Sequence, residues 1–215
     1  GAIRHRFTRC SFLLGSGDTV FSRSVLYSNG SRVGYSVFSA VQFGGASPKF
    51  LYIDSGGATG TTPIAFQDRC IFESGSSQDT TIVYVKDTSI DSLSFGNCTF
   101  NQQGGELTIV DTTDTPRSTA IQNFAFNNGN EWDYSVANAA TDRAMRLTNV
   151  KNFSLDNNNI QCGGTPTNWG VLVNTNLTSF EGNYIKSVPE FLNCDATSNI
   201  VIGNNNVEIS NVTRI

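Results

Sequence analysis

The stretch "LDNNNIQ" at residues 155–161 sets three consecutive asparagines between aliphatic residues. Asparagine is a poor strand former and is favoured where the backbone enters the left-handed region. One such run would mark an ordinary turn. The phrase returns as "FEGNYI" at 180–185 and "IGNNNV" at 202–207, and in looser form as "FGNCTF" at 95–100, "FSAVQF" at 38–43 and "FTRCSF" at 7–12. "FQDRCIF" at 66–72 carries one extra residue, and "FNNGNE" at 126–131 is the most divergent copy. Successive copies start 31, 28, 29, 31, 29, 25 and 22 residues apart. Leu93, Phe124, Phe153 and Ile200 add an apolar residue two places before the phrase.

A second apolar cluster follows most copies, as in "KFLYID", "TIVYVKD", "ELTIVD", "RAMRLTN", "WGVLVNT" and "EFLNCD". These runs are β-branched or aromatic, of strand length, and bounded by Gly, Ser, Asn and Pro. Helical periodicity is absent over any comparable length. A regular strand repeat with irregular loops is the pattern of a solenoid in which one period makes one coil. The expectation is all-β: a single-stranded right-handed parallel β-helix of about eight coils, 22–31 residues per coil, forming one domain over residues 1–215. Parallel stacking at about 4.8 Å per coil makes a rod of roughly 40 Å.

The asparagines then have a structural reading. The slot two residues before the closing apolar position holds Asn158, Asn183 and Asn205, but also Cys10, Cys70 and Cys98, with Val41 and Gly129 completing the set. A stacked interior slot at a sharp corner suits small residues, and stacked amides can hydrogen-bond from coil to coil. Cys70 and Cys98 become neighbours one coil apart, close enough for a disulfide on distance alone. Thiols are expected, because most other coils fill the slot with other residues.

Composition narrows the function. A net charge of −4 provides no basic field for nucleic acid or an anionic membrane. The longest apolar runs are far shorter than a transmembrane helix. Five cysteines without a C-x-x-C pair fit neither a zinc site nor a compact disulfide scaffold, so no metal or cofactor is expected. The opening "GAIRHRFTRCSF" enters strand-like sequence at once, which reads as a segment of a longer polypeptide in which Gly1-Ala2 is a cloning remnant. Arg4, Arg6 and Arg9 form a basic cluster there, suited to an acidic glycan or to ion pairs with a preceding coil.

On "FSLDNNNIQ", "IVIGNNNVEI" and "SLSFGNCTF", repeated across essentially the whole chain, the sequence resembles the right-handed β-helix group of pectate-lyase-like enzymes and bacteriophage tailspikes. The long coils rich in Ser, Thr, Gly and Asn are most similar to tailspikes. That resemblance implies a homotrimer on a virion tail that binds, and in many members depolymerises, bacterial surface polysaccharide. The alternatives are a non-catalytic structural or adhesive rod, and a pectin-active enzyme. The polygalacturonase-like set "NTD", "DD", "GHG" and "RIK" is missing, which weighs against the last.

The constellation that carries chemistry is "NEWDYS" at 130–135. In an extended segment Glu131 and Asp133 share one face and Trp132 takes the other. Paired carboxylates are glycosidase machinery, and an aromatic face stacks on sugar. Glu131, Asp133 and Asp156 are the candidate catalytic residues. Trp132, Tyr134 and Trp169 are the candidate ligand-binding residues. His5, the only histidine, reads as an edge residue. The Thr-rich stretches "TGTTP", "DTTI" and "VDTTDTP" fall at irregular offsets and read as turns, and the sequons "NCT", "NLT" and "NVT" as chance occurrences.

Overall fold

The computed structural model describes residues 4–14, 26–29, 35–45, 49–54, 63–75, 79–103, 105–116, 118–134, 143–162, 168–186 and 190–208. Gly1, Ala2, most of "TGTTP" and the "NVT" triplet lie outside these residues, as do the side chains of Arg4, Asp133 and Tyr134. The regular elements are all strands, and they form three parallel sheets. The chain visits the sheets in rotation, so that each strand pairs with its counterparts in the preceding and following coils. The result is a parallel β-solenoid.

The first sheet stacks Arg4–Thr8, Tyr35–Ser39, Ile64–Gln67, Ile90–Gly96, Ile121–Asn127, Val150–Asp156, Asn176–Glu181 and Asn199–Ile200. Its register aligns Phe7, Phe38, Phe66, Phe95, Phe126, Leu155 and Phe180, the residues at which the sequence repeat begins. The last copy departs from this pattern. Ile200 pairs with Leu177, while Ile202 is exposed.

After a tight corner the second sheet follows, built from Ser11–Leu14, Gln42–Gly45, Ile71–Glu73, Thr99–Gln102, Glu131–Tyr134, Asn159–Cys162, Tyr184–Lys186 and Asn206–Glu208. Connections of varied length lead to the third sheet: Leu26–Asn29, Lys49–Asp54, Thr80–Lys86, Leu107–Asp111, Met145–Thr148, Asn168–Val173 and Glu190–Cys194.

Alternation puts one side of each strand into the core. Phe38, Phe66 and Phe95 stack at 4.7 Å between successive centroids, and Phe43, Phe72 and Phe100 do so at 5.1 Å from the second sheet. The two columns meet edge to face, for example Phe66 on Phe72 at 5.4 Å. Each buried phenylalanine contributes roughly 1.5–3 kcal/mol of transfer free energy. In-register stacking of identical rings adds the offset contact that aromatic pairs favour.

The first corner is where the repeated phrase lies. Arg9, Ala40, Asn97, Asn157 and Gly182 each take a positive φ there. At Gly182 a Cβ would stand 2.3 Å from Asn157 Oδ1, so a larger residue there would have to displace the Asn157 side chain as well as take a positive φ. Two corners hold one residue more and absorb it with a second left-handed residue: Asp68 with Arg69, and Asn128 with Gly129. The second insertion corrects the slot assignment. Gly129 is a turn residue with φ 79°, and the interior slot of that coil is Asn130.

From Asn130 the slot becomes a continuous amide ladder. Asn130 Nδ2 donates to Asn158 Oδ1 at 3.0 Å, Asn158 to Asn183 at 2.9 Å, and Asn183 to Asn205 at 2.9 Å. Asn183 and Asn205 Oδ1 also accept the backbone N–H groups of Asn158 and Asn183, and Asn130 Oδ1 accepts that of Cys98, each at 3.0 Å. Buried amides are thereby satisfied, as a low-dielectric interior demands. Cys10, Cys70, Cys98 and Cys194 are free thiols.

Candidate functional site

The sequence placed its chemistry in Glu131–Tyr134, and the fold divides those residues between two environments. Trp132 points inward at 0% exposure and packs on Phe100 at 5.9 Å. Trp169, at 1% exposure, meets it edge to face at 6.2 Å. Neither indole face reaches solvent, so the expectation of a tryptophan sugar platform is corrected. Alternation along the strand sets Glu131 outward, and the opposite face, which Trp132 takes, is the core.

Glu131 is exposed on the outward face of the second sheet. It stands in register between Thr99 and Asn159, and the row continues to Tyr184 and Asn206. Asp133 occupies the neighbouring row, between Asn101 and Gln161, followed by Lys186 and Glu208. The side chains of Asp133 and Tyr134 lie outside the described set, and the backbone positions alone locate them.

Asp156 does not join this face. It lies half-buried on the first sheet, across the corner from Glu131, with Asn127 and Glu181 as register partners. Its Oδ1 accepts from Ser179 Oγ at 2.8 Å and from Glu181 N at 3.0 Å, while its own N–H donates to Asn127 Oδ1 at 2.9 Å. These bonds tie successive coils together, which is a structural task.

Sequence reasoning missed the aromatic residue that does share Glu131's row. Tyr184 is half-buried two coils beyond it, roughly 10 Å away at the parallel-strand spacing. Its signal was available, because Tyr184 follows the slot residue Asn183 as Glu131 follows Asn130. Half-buried amides flank the carboxylate: Asn101, Asn159 and Gln161, the last donating to Asn159 Oδ1 at 3.2 Å. An extended face of amides, a carboxylate and a phenol can exchange hydrogen bonds with a chain of hydroxyls.

The third sheet carries a different outward row. Tyr52 and Tyr84 stack at 5.1 Å, with Lys49 Nζ 3.9 Å from the Tyr84 ring centroid. Tyr84 OH donates to Asp114, and burial, then this bond, pushes the phenol well above its ordinary value. Asp111 and Arg146 continue the row. Among the described residues, no cluster of three His, Cys, Asp or Glu side chains could hold a metal ion, and no helix is long and apolar enough to cross a membrane.

No protein-family model matches the chain, and no curated protein or solved structure matches it.

Proposed function

We propose that this β-solenoid is a phage-tailspike-type segment that recognises bacterial surface polysaccharide along the outward face of its second sheet. The observation that carries this reading is the exposed Glu131 set in a row with Thr99, Asn159 and Tyr184 over consecutive coils. A polymer of sugar units meets such a row repeatedly, and each contact is a hydroxyl-to-amide or hydroxyl-to-carboxylate bond. In this reading Glu131 and Asp133 are the acid–base pair for depolymerisation, and the working unit is a trimer on the virion tail.

The test is reducing-end release from a panel of capsular and O-antigen polysaccharides, with binding measured on the same samples. One polymer is expected to bind, with Tyr184→Ala weakening it roughly tenfold or more, the effect of losing a stacking and hydroxyl contact. Glu131→Gln and Asp133→Asn are expected to abolish release while leaving binding in place. Light scattering of the intact protein checks the trimer. A panel on which nothing binds overturns the proposal.

A non-catalytic rod is the second reading. What favours it is the commitment of Trp132 and Trp169 to the core and of Asp156 to inter-coil hydrogen bonds. Binding without release, unchanged in Glu131→Gln, is its signature.

A further inference from the structure

The corner slot brings two cysteines together. Cys70 precedes Ile71 and Cys98 precedes Thr99, and those two residues are register partners in adjacent parallel strands. Backbone hydrogen bonds hold the pairing on both sides, Arg69 N to Asn97 O at 2.8 Å and Thr99 N to Cys70 O at 2.9 Å. The Cα atoms therefore stand one strand spacing apart, about 4.8 Å, within the range of about 4.4–6.8 Å that a disulfide spans. Both side chains point inward, at 0% and 1% exposure, and the two thiols are hydrogen-bonded to each other. The slots on either side hold other residues. Val41 lies one coil before Cys70 and separates it from Cys10, and Asn130 lies one coil after Cys98.

Cys98 keeps its proton and donates it to Cys70, a bond that pulls the Cys70 thiol down to about 7 against the effect of burial. Cys70 is thus the sulfur that ionises first, and a second thiol is already in contact with it. The chain neighbours Arg69 and Asn97 are exposed, so the pair lies directly beneath a surface turn. Burial excludes a bulky oxidant more than a small one.

We propose that Cys70 and Cys98 are a redox modification site, a reversible disulfide that staples two adjacent coils, with hydrogen peroxide as the oxidant. The Cys70 thiolate attacks one peroxide oxygen. The S–O bond forms, the O–O bond breaks, and the departing hydroxide takes up the proton that Cys70 released. The Cys98 sulfur then attacks the Cys70 sulfenic acid. The S–S bond forms, the S–O bond breaks, and the Cys98 proton leaves with the second water. Two thiols lose two electrons and one peroxide becomes two waters. The site stands apart from the second-sheet reading and survives if no polymer touches Glu131.

The test treats the folded protein with hydrogen peroxide, blocks the remaining thiols in urea and maps the unreduced peptides by mass spectrometry. The expected product joins the Cys70 and Cys98 peptides, is lighter by two hydrogens, and is released by dithiothreitol. The oxidised protein is expected to unfold at a urea midpoint higher by about 1 M or more, because the link closes a whole coil in the unfolded chain. Cys10→Ser leaves product and shift unchanged, and Cys98→Ser removes both. No linked pair in the folded protein, a link from Cys70 or Cys98 to another cysteine, the same yield from protein unfolded in urea, or a midpoint that fails to rise each overturns the proposal.

Discussion

The interior corner slot is filled in two ways along one rod. Through Cys10, Val41, Cys70 and Cys98 it is apolar or thiol-lined, whereas through Asn130, Asn158, Asn183 and Asn205 it is a chain of amides bonded from coil to coil. Both halves make the same turn at the same place in the register. The comparison teaches that the corner requires small volume and a left-handed neighbour, and that hydrogen bonding is an additional choice. Once one amide is present its neighbours are constrained, because a buried amide needs partners on both sides. The thiols need little: Cys70 Sγ lies 3.4 Å from Phe38 O and 3.3 Å from Gln67 O, and Cys98 Sγ lies 3.4 Å from Gly96 O.

Breaking the amide half has the largest expected effect. Asn158→Ala removes the acceptor of Asn130 and the donor to Asn183 and Phe126 O, leaving buried groups unsatisfied. A loss of about 3 kcal/mol is expected, read from urea denaturation. Placing an amide in the other half comes next. Val41→Asn inserts a buried polar side chain between Cys10 and Cys70, with no ladder to join, and is expected to cost about 2 kcal/mol in the same measurement.

Extending the ladder by one step is expected to be nearly neutral. In Cys98→Asn the new amide meets Asn130 Oδ1, which already accepts the residue's backbone N–H, so the change should stay within about 1 kcal/mol. A cost close to that of Val41→Asn would refute the idea that the two halves differ only in whether a neighbouring amide is present.

The smallest effect is in the pH dependence. The Cys98 thiol is pushed up from its ordinary value of 9.0, first by its hydrogen bond with Cys70 and then by burial. The same bond pulls Cys70 down, so that Cys70 contributes with the opposite sign below pH 9 and the decline above it belongs to Cys98. The unfolded chain then releases this proton above pH 9 while the folded chain keeps it, so this contribution to stability is whole below pH 9 and declines above it. Tyr84 adds a decline of the same sign above its ordinary value of 10.0. Cys98→Val should flatten the first part of the slope and Tyr84→Phe the second, as measured by thermal melts between pH 8 and about 11. Iodoacetamide at pH 8 should label the half-exposed Cys10 and Cys194 well before buried Cys70 and Cys98.

The corner was legible in the sequence because one structural demand is repeated with little freedom. Seven of the repeat's starting residues stack in register, and the phrase that names them needs no long-range information. Asn130 was misassigned because a one-residue insertion looks the same as a degraded copy until the second left-handed residue, Gly129, is seen. Trp132 was placed on the right side of its strand, but alternation alone does not say which side is wet. The ion pair of Arg146 with Glu106 was not legible. Arg146 meets Glu106 forty residues away across connections of irregular length, and no local pattern announces that encounter.

The two corners with an extra residue have a consequence for how such a rod can change. A residue inserted within a strand exchanges the inner and outer faces of that strand beyond the insertion. The paired left-handed residues at Asp68–Arg69 and Asn128–Gly129 cancel the shift within the bend, and Phe72, Phe100 and Trp132 still align beyond it. The bend acts as an expansion joint. Chain length can vary there while the faces that could meet a ligand keep their phase.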